Sequence, residues 1–531
     1  MIPLLVTMAF AAAACQTPPS LDGNWRIPPQ EPIGGEPASL DVALIADNQI
    51  HHLYGDPVWL RSGLTDRYVS VAIRPVQLDY YAPAILQWVT ENVGDRRPLV
   101  HMGDALNAGC VWEWETFLGI MNQTDRGWVM APGNHDAYYF GNGHFALDEW
   151  LRVCDVGDGE DGRMTKDRFI EHYLRALAAQ GAVTLPATLE AEGVQRVSRS
   201  DTDATPRPNR IDVEEVAWRI DRRRPWRSFI AQRLNISLPS SPERVVVVLL
   251  DTSQYALRPR LVPWWLGVRN AGLNGQLLDD QIDVVDAWLR RGQVNVLMGH
   301  HPYRAITSQG KKAIERWRRD PGVILYVSAH KHTAQWFVHE GERANWLELN
   351  VGSTTDWTPE FRTLYVERPE AANKVGLRTQ RQPVVDLWEA QCEPEWEVDP
   401  DSPYYYIRYR DLTTPDPMRT QIALMNTLLA THSWVLRKIP SSAGNTHWPS
   451  ATSSDAEVLA KIQRAIGGTG SLDAKIALAR ELRDFEAARD VESPDDQKQF
   501  RLCQAMWSSK YDMDGARAPG VNDSYLMVPK E

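Results

Sequence analysis

The sequence predicts a layered α/β fold, and two observations indicate it. Short apolar runs rich in Val, Leu and Ile recur through the first 370 residues, as the buried strands of a largely parallel sheet require. Between these runs, apolar residues recur at three- and four-residue spacing, which is the pattern of helices that cover a sheet. No internal repeat of about 20 to 50 residues is visible, which argues against solenoids and propellers.

The elements follow in chain order. Strands are predicted at Leu40–Ala46, Pro98–Met102, Trp128–Ala131, Arg244–Leu250, Val294–Met298 and Val323–Val327, with closing strands at Trp346–Asn350 and Thr363–Val366. Helices are predicted at Tyr81–Val93, Trp112–Met121 and Leu277–Arg291. The α/β domain is therefore predicted to span residues 39–370.

Two regions depart from this pattern. Residues 153–242 contain a helical stretch, Asp167–Gln180, and a polar, Arg-rich segment, Ser198–Arg227. They are predicted to form an insertion that is a lid, a substrate-binding flap or a partly disordered loop. Residues 371–531 are predicted to form a second, mostly α-helical domain. Its helices are predicted at Met418–Lys438, Asp455–Ile466, Asp473–Val491 and Asp495–Ser508.

The charge balance bears on possible partners. The 531 residues include 57 Lys plus Arg and 69 Asp plus Glu, a formal net charge of −12, and the basic runs are short. A nucleic acid duplex is therefore excluded as the main partner, because its phosphates require a broad basic surface.

The first residues have the features of an export signal. Ile2–Ala14 is almost wholly apolar and ends in small residues before Cys15, so it resembles the lipobox of a bacterial lipoprotein with Cys15 as the lipidated residue. On this reading residues 1–15 are a signal peptide, residues 16–38 are a linker, and the protein is exported and anchored in a membrane by its lipid, facing the periplasm or the cell exterior. The alternative is a frayed hydrophobic terminus.

Four further cysteines remain after Cys15. An exported protein meets an oxidising compartment, and four cysteines allow three pairings between which sequence cannot choose. The pairs Cys110–Cys154 and Cys392–Cys503 are weakly preferred because each lies within one predicted domain. Four free, buried thiols are an equal alternative.

Five polar motifs stand at the ends of the apolar runs, where an open α/β sheet collects ligands and catalytic groups. They are Asp47-Asn48-Gln49, Gly103-Asp104, Gly133-Asn134-His135-Asp136, Gly299-His300-His301-Pro302 and Ala329-His330-Lys331-His332, and they contain five of the 13 histidines. Each motif alone is weak, but together they supply carboxylate, amide and imidazole ligands, the donor mix of a divalent-metal centre.

With these motifs the chain resembles the calcineurin-like metallophosphoesterases over about residues 39–368. The resemblance implies a four-layer αββα sandwich whose strand ends hold two metal ions bridged by Asp104. It also implies the other ligands, with Asp47, Gln49 and His332 completing one metal site and Asn134, His300 and His330 the other. Two cations so placed would promote in-line displacement at phosphorus.

The same resemblance assigns the neighbouring residues. His135 is expected to face the substrate and to donate a hydrogen bond or proton to the phosphate or the departing oxygen. Asp136 is expected either to orient His135 or to cap the loop. His301 should point away from the metals, because adjacent residues that leave a strand face opposite sides.

Three departures from the family pattern bear on activity. Gln49 replaces a histidine, Asn107 replaces an acidic residue, and Ala329 replaces a glycine. Purple acid phosphatases carry a tyrosine at the position of Asn107, so a ferric-tyrosinate centre is not expected. The Asp-x-Gln motif is similar to that of manganese-dependent ADP-ribose/CDP-alcohol diphosphatases, which favours manganese, with iron or zinc as alternatives.

The resulting prediction is an enzyme that hydrolyses a phosphodiester or pyrophosphate bond of a small-molecule phosphoester with a metal-activated hydroxide. The alternative is a non-catalytic binding or interaction lipoprotein that retains the fold, since a fold does not dictate function.

Overall fold

The structure is a computed structural model that describes much of the chain between residues 40 and 383 and one strand near its end. The described residues are 40–50, 76–93, 97–107, 109–123, 127–137, 154, 162–190, 192–198, 211–236, 245–256, 274–289, 293–319, 322–332, 334–339, 346–355, 360–367, 374–383 and 524–529.

Fourteen strands and five α-helices lie within these ranges. The strands are β1 Leu40–Ile45, β2 Leu99–His101, β3 Trp128–Met130, β4 Gln195–Ser198, β5 Asp212–Arg219, β6 Phe229–Ile236, β7 Val245–Leu250, β8 Val294–Gly299, β9 Val323–Ser328, β10 Gln335–His339, β11 Trp346–Asn350, β12 Glu360–Glu367, β13 Lys374–Pro383 and β14 Ser524–Pro529. The helices are α1 Val76–Asn92, α2 Val111–Met121, α3 Lys166–Ala179, α4 Asp279–Trp288 and α5 Ser308–Arg319.

The strands form two sheets. One has six strands in the order β14-β13-β12-β1-β2-β3, and the other has eight in the order β10-β11-β9-β8-β7-β6-β5-β4. The centre of each sheet is parallel, with β1, β2 and β3 in the first and β7, β8, β9 and β11 in the second. Parallel strands end at the same edge, so the loops that follow them are brought together there.

Strand β7 shows why the apolar runs are unbroken. All six of its residues are buried, because alternate side chains enter two different cores. Val245, Val247 and Leu249 pack in a core shared with strands of the other sheet, and Val246, Val248 and Leu250 pack with α4 and α5. The fold class is thus α/β, with two sheets and helices packed around them.

The chain turns a corner at the start of helix α2, and side-chain contacts stabilise this corner. The Glu113 carboxylate reaches back to accept the backbone N–H groups of Gly109 at 2.8 Å and of Cys110 at 3.0 Å, which satisfies two donors at the helix start. A Cys110–Cys154 disulfide joins this corner to the chain before α3. This is one of the preferred pairings, and Cys392 and Cys503 lie outside the described residues.

Part of the predicted insertion over residues 153–242 lies within the described residues. Its described part contains α3 and three strands, β4, β5 and β6, that extend the eight-stranded sheet. Tyr173 of α3 links the sheets, because its hydroxyl donates to Gln232 of β6 at 3.0 Å and accepts the N–H of Met130 in β3 at 2.5 Å. Because an outer strand of a sheet buries only part of its side chains, a polar composition is compatible with strands in this region.

Two strands, β13 and β14, are described within residues 371–531, which were predicted to form a mostly α-helical domain. Strand β13 pairs with β12 across the expected limit at residue 370, and β14 pairs with β13. The four helices predicted between Met418 and Ser508 lie outside the described residues, as do Cys15 and the predicted signal peptide and linker. Among the described helices, none has both the length and the apolar character needed to cross a membrane.

Candidate metal centre

The predicted ligands lie in the loops that follow β1, β2 and β3 of one sheet and β8 and β9 of the other. The loops after β1 and β2 run together, because Asp47 N–H donates to the Gly103 carbonyl at 3.0 Å and Gln49 N–H donates to the Asp104 carbonyl at 3.0 Å. The loops after β8 and β9 are joined by the Ala329 N–H, which donates to the His300 carbonyl at 2.9 Å. These bonds bring motifs far apart in sequence to one edge.

The two sheets also meet at this edge. The backbone N–H of His330 donates to Asp47 Oδ2 at 3.1 Å, and His300 Nδ1 lies 2.9 Å from the Met102 carbonyl oxygen. Close packing leaves no space beside Gly103, where an added Cβ would lie 2.7 Å from His300 Nδ1. The site is therefore built across the interface between the sheets.

Several predicted ligands share a strained backbone conformation with positive φ. Among the described residues, the non-glycine residues with positive φ are Asp47, Gln49, Asp104, His330 and His332. All five are predicted ligands, and two pairs share the same spacing of two residues. A left-handed conformation at such residues costs about 1 to 3 kcal/mol each and is kept mainly where function requires it.

One donor set is centred on His300. Its Nε2 lies 3.1 Å from Asp104 Oδ2, 3.1 Å from Asn134 Oδ1 and 3.2 Å from His330 Nδ1. Because Nδ1 donates to the Met102 carbonyl, Nε2 is the nitrogen that turns towards these atoms. Asp104, His300 and His330 meet the geometry of a metal-holding group.

A second donor set shares Asp104 with the first. Asp47, Asp104 and His332 bring their ligand atoms within 4.8 Å of one another, and His332 Nε2 lies 3.6 Å from Asp47 Oδ1. Gln49 is at the same place, with its Nε2 donating to Asp104 Oδ2 at 3.4 Å. Two sets joined by one carboxylate fit a pair of cations.

Two buried polar atoms without a hydrogen-bond partner bear on whether the site suits metal ions. Asp47 Oδ1 is buried and has no hydrogen-bond donor, and Asn134 Nδ2 is likewise buried without a partner. A buried carboxylate oxygen left without a partner is unfavourable, because it has lost its hydration. A cation beside Asp47 would satisfy that oxygen, so the residues present suit bound metal ions.

Opposite charges within the centre shift one another's pKa values. Although burial opposes ionisation, the His300 and His135 imidazoles hold the pKa of Asp104 well below its usual range. Burial likewise disfavours the charged imidazole, yet the Asp104 carboxylate raises the pKa of His300 to about 9. A carboxylate that stays ionised suits a group that bridges two cations.

Burial is the main cause of the pKa shifts at two other predicted ligands, Asp47 and His330. Burial raises the pKa of Asp47 to about 6, with the His332 and His300 imidazoles opposing the rise. Burial and the neighbouring His301 and His300 rings lower the pKa of His330 well below its usual value. His330 is thus the neutral imidazole that metal coordination requires.

His135 lies at the rim of the centre and is half-buried. Its backbone N–H donates to Asp104 Oδ1 at 2.8 Å, and its Nδ1 lies 2.7 Å from the Asn107 carbonyl oxygen. A ring held through Nδ1 presents Nε2 on its opposite side. The sequence did not show this support, since it comes from a backbone carbonyl.

Asp136 was expected either to orient His135 or to cap the loop, and its carboxylate contacts backbone groups of two loops. Its buried carboxylate accepts backbone N–H groups from Asp104 at 3.0 Å, Ala105 at 2.7 Å, Leu106 at 3.0 Å and Gly133 at 2.7 Å. With both oxygens bound to backbone, Asp136 ties two ligand-bearing loops together, which is the loop-capping alternative.

His301 was expected to point away from the metals, and its side chain lies against Thr252 and His330. Its Nδ1 lies 2.9 Å from Thr252 Oγ1, and its ring packs against that of His330 with centroids 4.7 Å apart. His301 therefore contributes to the walls around the donor atoms.

One supporting residue, His101, was not predicted from the sequence. His101, which precedes the Gly103-Asp104 turn, contacts Asn48 through Nε2 and accepts the Gly103 N–H through Nδ1 at 3.1 Å. Burial lowers the pKa of His101 to about 3, so it acts as a neutral brace. A histidine directly before the turn was the available signal.

No protein-family model matches this chain, and no curated protein matches it in sequence. Among solved structures, the chain is similar to a dimetal phosphatase from Danio rerio, with a TM-score of 0.34 and 12% identity over 64% of this chain and 96% of that chain. It is also similar to GAP50, described as the anchor in the inner membrane complex of Plasmodium, with a TM-score of 0.30 and 9% identity over 65% of this chain and 85% of that chain. Neither likeness is strong enough to assign a function, so the candidate centre stands on the geometry of its own residues.

Proposed function

We propose that the protein is a phosphoesterase that depends on two divalent metal ions. The observation that carries this proposal is the pair of donor sets that share the Asp104 carboxylate. A shared carboxylate offsets the repulsion between two cations and so lets them lie close enough to act on one phosphate.

The bound metals would acidify water and neutralise phosphate charge. The chain itself supplies the arrangement. Nearby imidazoles keep Asp104 ionised, and the Asp136 carboxylate fixes Asp104 by accepting its backbone N–H. A hydrogen bond to the Met102 carbonyl orients His300, and packing against the His301 ring orients His330. His135, held through Nδ1, is placed to donate from Nε2 to a phosphate or departing oxygen.

A phosphodiester or pyrophosphate substrate is the favoured class within this proposal. Gln49 is its support, because a neutral amide beside Asp104 transfers less charge than an imidazole and favours oxygen-preferring ions such as manganese. Iron and zinc are the alternative ions.

A substrate panel tests the proposal. Bis(p-nitrophenyl) phosphate, p-nitrophenyl phosphate and a nucleoside diphosphate ester are each incubated with Mn²⁺, Zn²⁺, Fe²⁺ or Mg²⁺ and with the Asp104→Asn variant. We expect metal-dependent hydrolysis, fastest for the diester or pyrophosphate with Mn²⁺, and nearly none with Asp104→Asn. Metal binding without hydrolysis of any substrate would favour the non-catalytic binding protein instead.

We also propose an extracytoplasmic location with a lipid anchor at Cys15. The Cys110–Cys154 disulfide supports an oxidising compartment. Cys15→Ser should move the protein from the membrane fraction to the soluble fraction, because a lipid anchor would be its main membrane attachment. Retention of the variant in the membrane fraction would contradict the anchor.

A further inference from the structure

A buried carboxylate lies beside the candidate centre without contributing a donor to it. Glu348 of β11 is fully buried, and its Oε1 accepts the backbone N–H of Tyr303 at 3.1 Å and contacts the hydroxyl of Ser328. Its Oε2 lies 2.5 Å from Nε2 of His339, which is also buried.

Both partners of Oε1 belong to loops that carry predicted ligands. Tyr303 begins a short 3₁₀ helix, Tyr303–Ala305, three residues after His300. Ser328 is the last residue of β9 and lies two residues before His330. One carboxylate oxygen therefore ties together the two loops whose histidines face each other.

Neighbouring contacts reinforce this tie. Asn350 Nδ2 donates to Ser328 Oγ at 2.8 Å and to the Ala329 carbonyl at 2.5 Å. The imidazole of His339 lies against the rings of Tyr303 and Trp346, with centroid distances of 4.8 and 4.4 Å. Ring packing thus fixes His339, which contacts Oε2 of Glu348, and Asn350 fixes Ser328, which contacts Oε1.

Stability alone does not explain a carboxylate at this position. A buried, charged group is costly to dehydrate, and an apolar side chain of similar volume is often at least as stabilising. A carboxylate does offer two oxygens, one for the donors of two loops and one for the histidine that orients it. Groups outside the ligand set that fix ligands in this way change metal affinity when removed.

We propose that Glu348, oriented by His339, is a positioning residue that fixes the spacing between the His300 and His330 loops. The 3.2 Å separation of His300 Nε2 and His330 Nδ1 is the distance it controls. The inference rests on the proposed function only in taking these histidines as metal ligands.

The test is a Mn²⁺ titration of the full chain without substrate. His332→Ala identifies the binding step of the site that contains Asp47, and His330→Ala identifies the other step. Glu348→Ala should weaken the His300/His330 step by about 10- to 100-fold and leave the other step much less affected. Glu348→Gln should restore most of the affinity, because an amide oxygen can still accept from Tyr303 and Ser328.

A second pair of variants isolates the loop contact if Glu348→Ala does not fold. Tyr303→Pro removes the N–H that Glu348 accepts, and it fits the backbone because Pro302 is already extended, with φ −59° and ψ 148°. Tyr303→Ala keeps that N–H while also losing the ring. The proline variant should bind Mn²⁺ more weakly than the alanine variant at the His300/His330 step.

Val285→Ala is the matched control for general destabilisation. Val285 is buried in the core between α4 and the eight-stranded sheet, so the substitution should lower Tm and leave both Mn²⁺ steps unchanged. Wild-type affinity in Glu348→Ala, or equal weakening of both steps with no rescue by Glu348→Gln, would overturn the positioning role. A selective shift in a protein that hydrolyses no phosphoester would support this role and refute only the proposed function.

Discussion

The carboxylate of Asp136 fixes the backbone of Asp104, whose N–H donates to Asp136 Oδ2 at 3.0 Å. The same carboxylate also accepts the N–H of Gly133, so it joins the turns that carry Asp104 and Asn134. Its function is therefore to hold ligand-bearing backbone in a conformation that the positive φ of Asp104 makes unfavourable by itself.

Asp136→Asn should lower both stability and metal affinity. The new NH₂ group would face backbone donors, and each donor left unpaired costs about 1 to 3 kcal/mol. Denaturant unfolding and Mn²⁺ titration measure the two effects. Asp41→Asn, at a half-exposed pair with Arg97, is the control and should change both quantities little. Normal metal affinity with lost turnover would instead return Asp136 to a catalytic role.

His135→Ala should lower turnover while metal content stays intact. His135 contributes its backbone N–H to Asp104, which alanine retains, and loses only the imidazole held by the Asn107 carbonyl. The expected loss is about 10²- to 10⁴-fold in kcat, the usual range for a general acid. His172→Ala on α3 is a matched control and should keep full turnover. Loss of bound metal in His135→Ala would show that His135 is a ligand.

Arg222→Ala should destabilise the region that was predicted to be a lid. Arg222 Nη1 donates to Asp167 at 3.0 Å and its Nε donates to Glu190 at 2.8 Å, while Nη2 contacts Glu171. Because the Arg222 side chain is 37% exposed, the expected loss is only about 1 kcal/mol. Arg223→Ala, at the exposed neighbour, is the control and should have little effect on the free energy of unfolding.

The effect of Arg222→Ala should also depend on pH. Burial opposes the shift, but the Arg222 hydrogen bond lowers the pKa of Glu171 below its ordinary value of 4.5. A depressed carboxyl pKa stabilises the folded state above pH 4.5, and this contribution disappears as pH falls through the folded-state pKa. The difference between Arg222→Ala and the unsubstituted protein should therefore shrink below that pH. A constant difference down to pH 3, about 1.5 units lower, would contradict the contribution of Glu171.

The parts of the fold predicted from sequence are those with a strong local signal. Strand β7 is apolar at every position because both of its faces are buried, and every residue of β8 and β9 is buried as well. The outer strand β5 contains both buried and half-buried residues and includes three acidic side chains, so its composition resembled a loop. Its place in the sheet depends on pairing with β6, which is information that no short window of sequence contains.

The same distinction between local and long-range signals applies to the candidate site. Side chains such as Asp104 and His300 could be named from their positions after apolar runs, because strand ends gather at one edge. Contacts through the backbone could not be named, since any residue type carries a carbonyl and an N–H. The Asn107 carbonyl that holds His135 and the four N–H groups that surround Asp136 are of this kind.

Gln49→His should change which metal the protein prefers. Gln49 lies beside Asp104 with its amide nitrogen 3.4 Å from Oδ2, and rotation of the terminal amide would turn its oxygen towards the same place. An amide oxygen is a harder and weaker donor than an imidazole nitrogen. A histidine should therefore raise Zn²⁺ affinity at the site shared with Asp47 and His332 and reduce the preference for Mn²⁺.

Metal titration and the activating-metal series measure this change. Gln49→Ala is the matched variant, since it removes the amide without supplying a nitrogen and should weaken Mn²⁺ and Zn²⁺ binding alike. The ratio of diester to monoester hydrolysis should fall in Gln49→His if the neutral amide sets that preference. Identical affinities and activating metals in all three proteins would mean that Gln49 is not a ligand, and the preference for a diester or pyrophosphate would then lose its support.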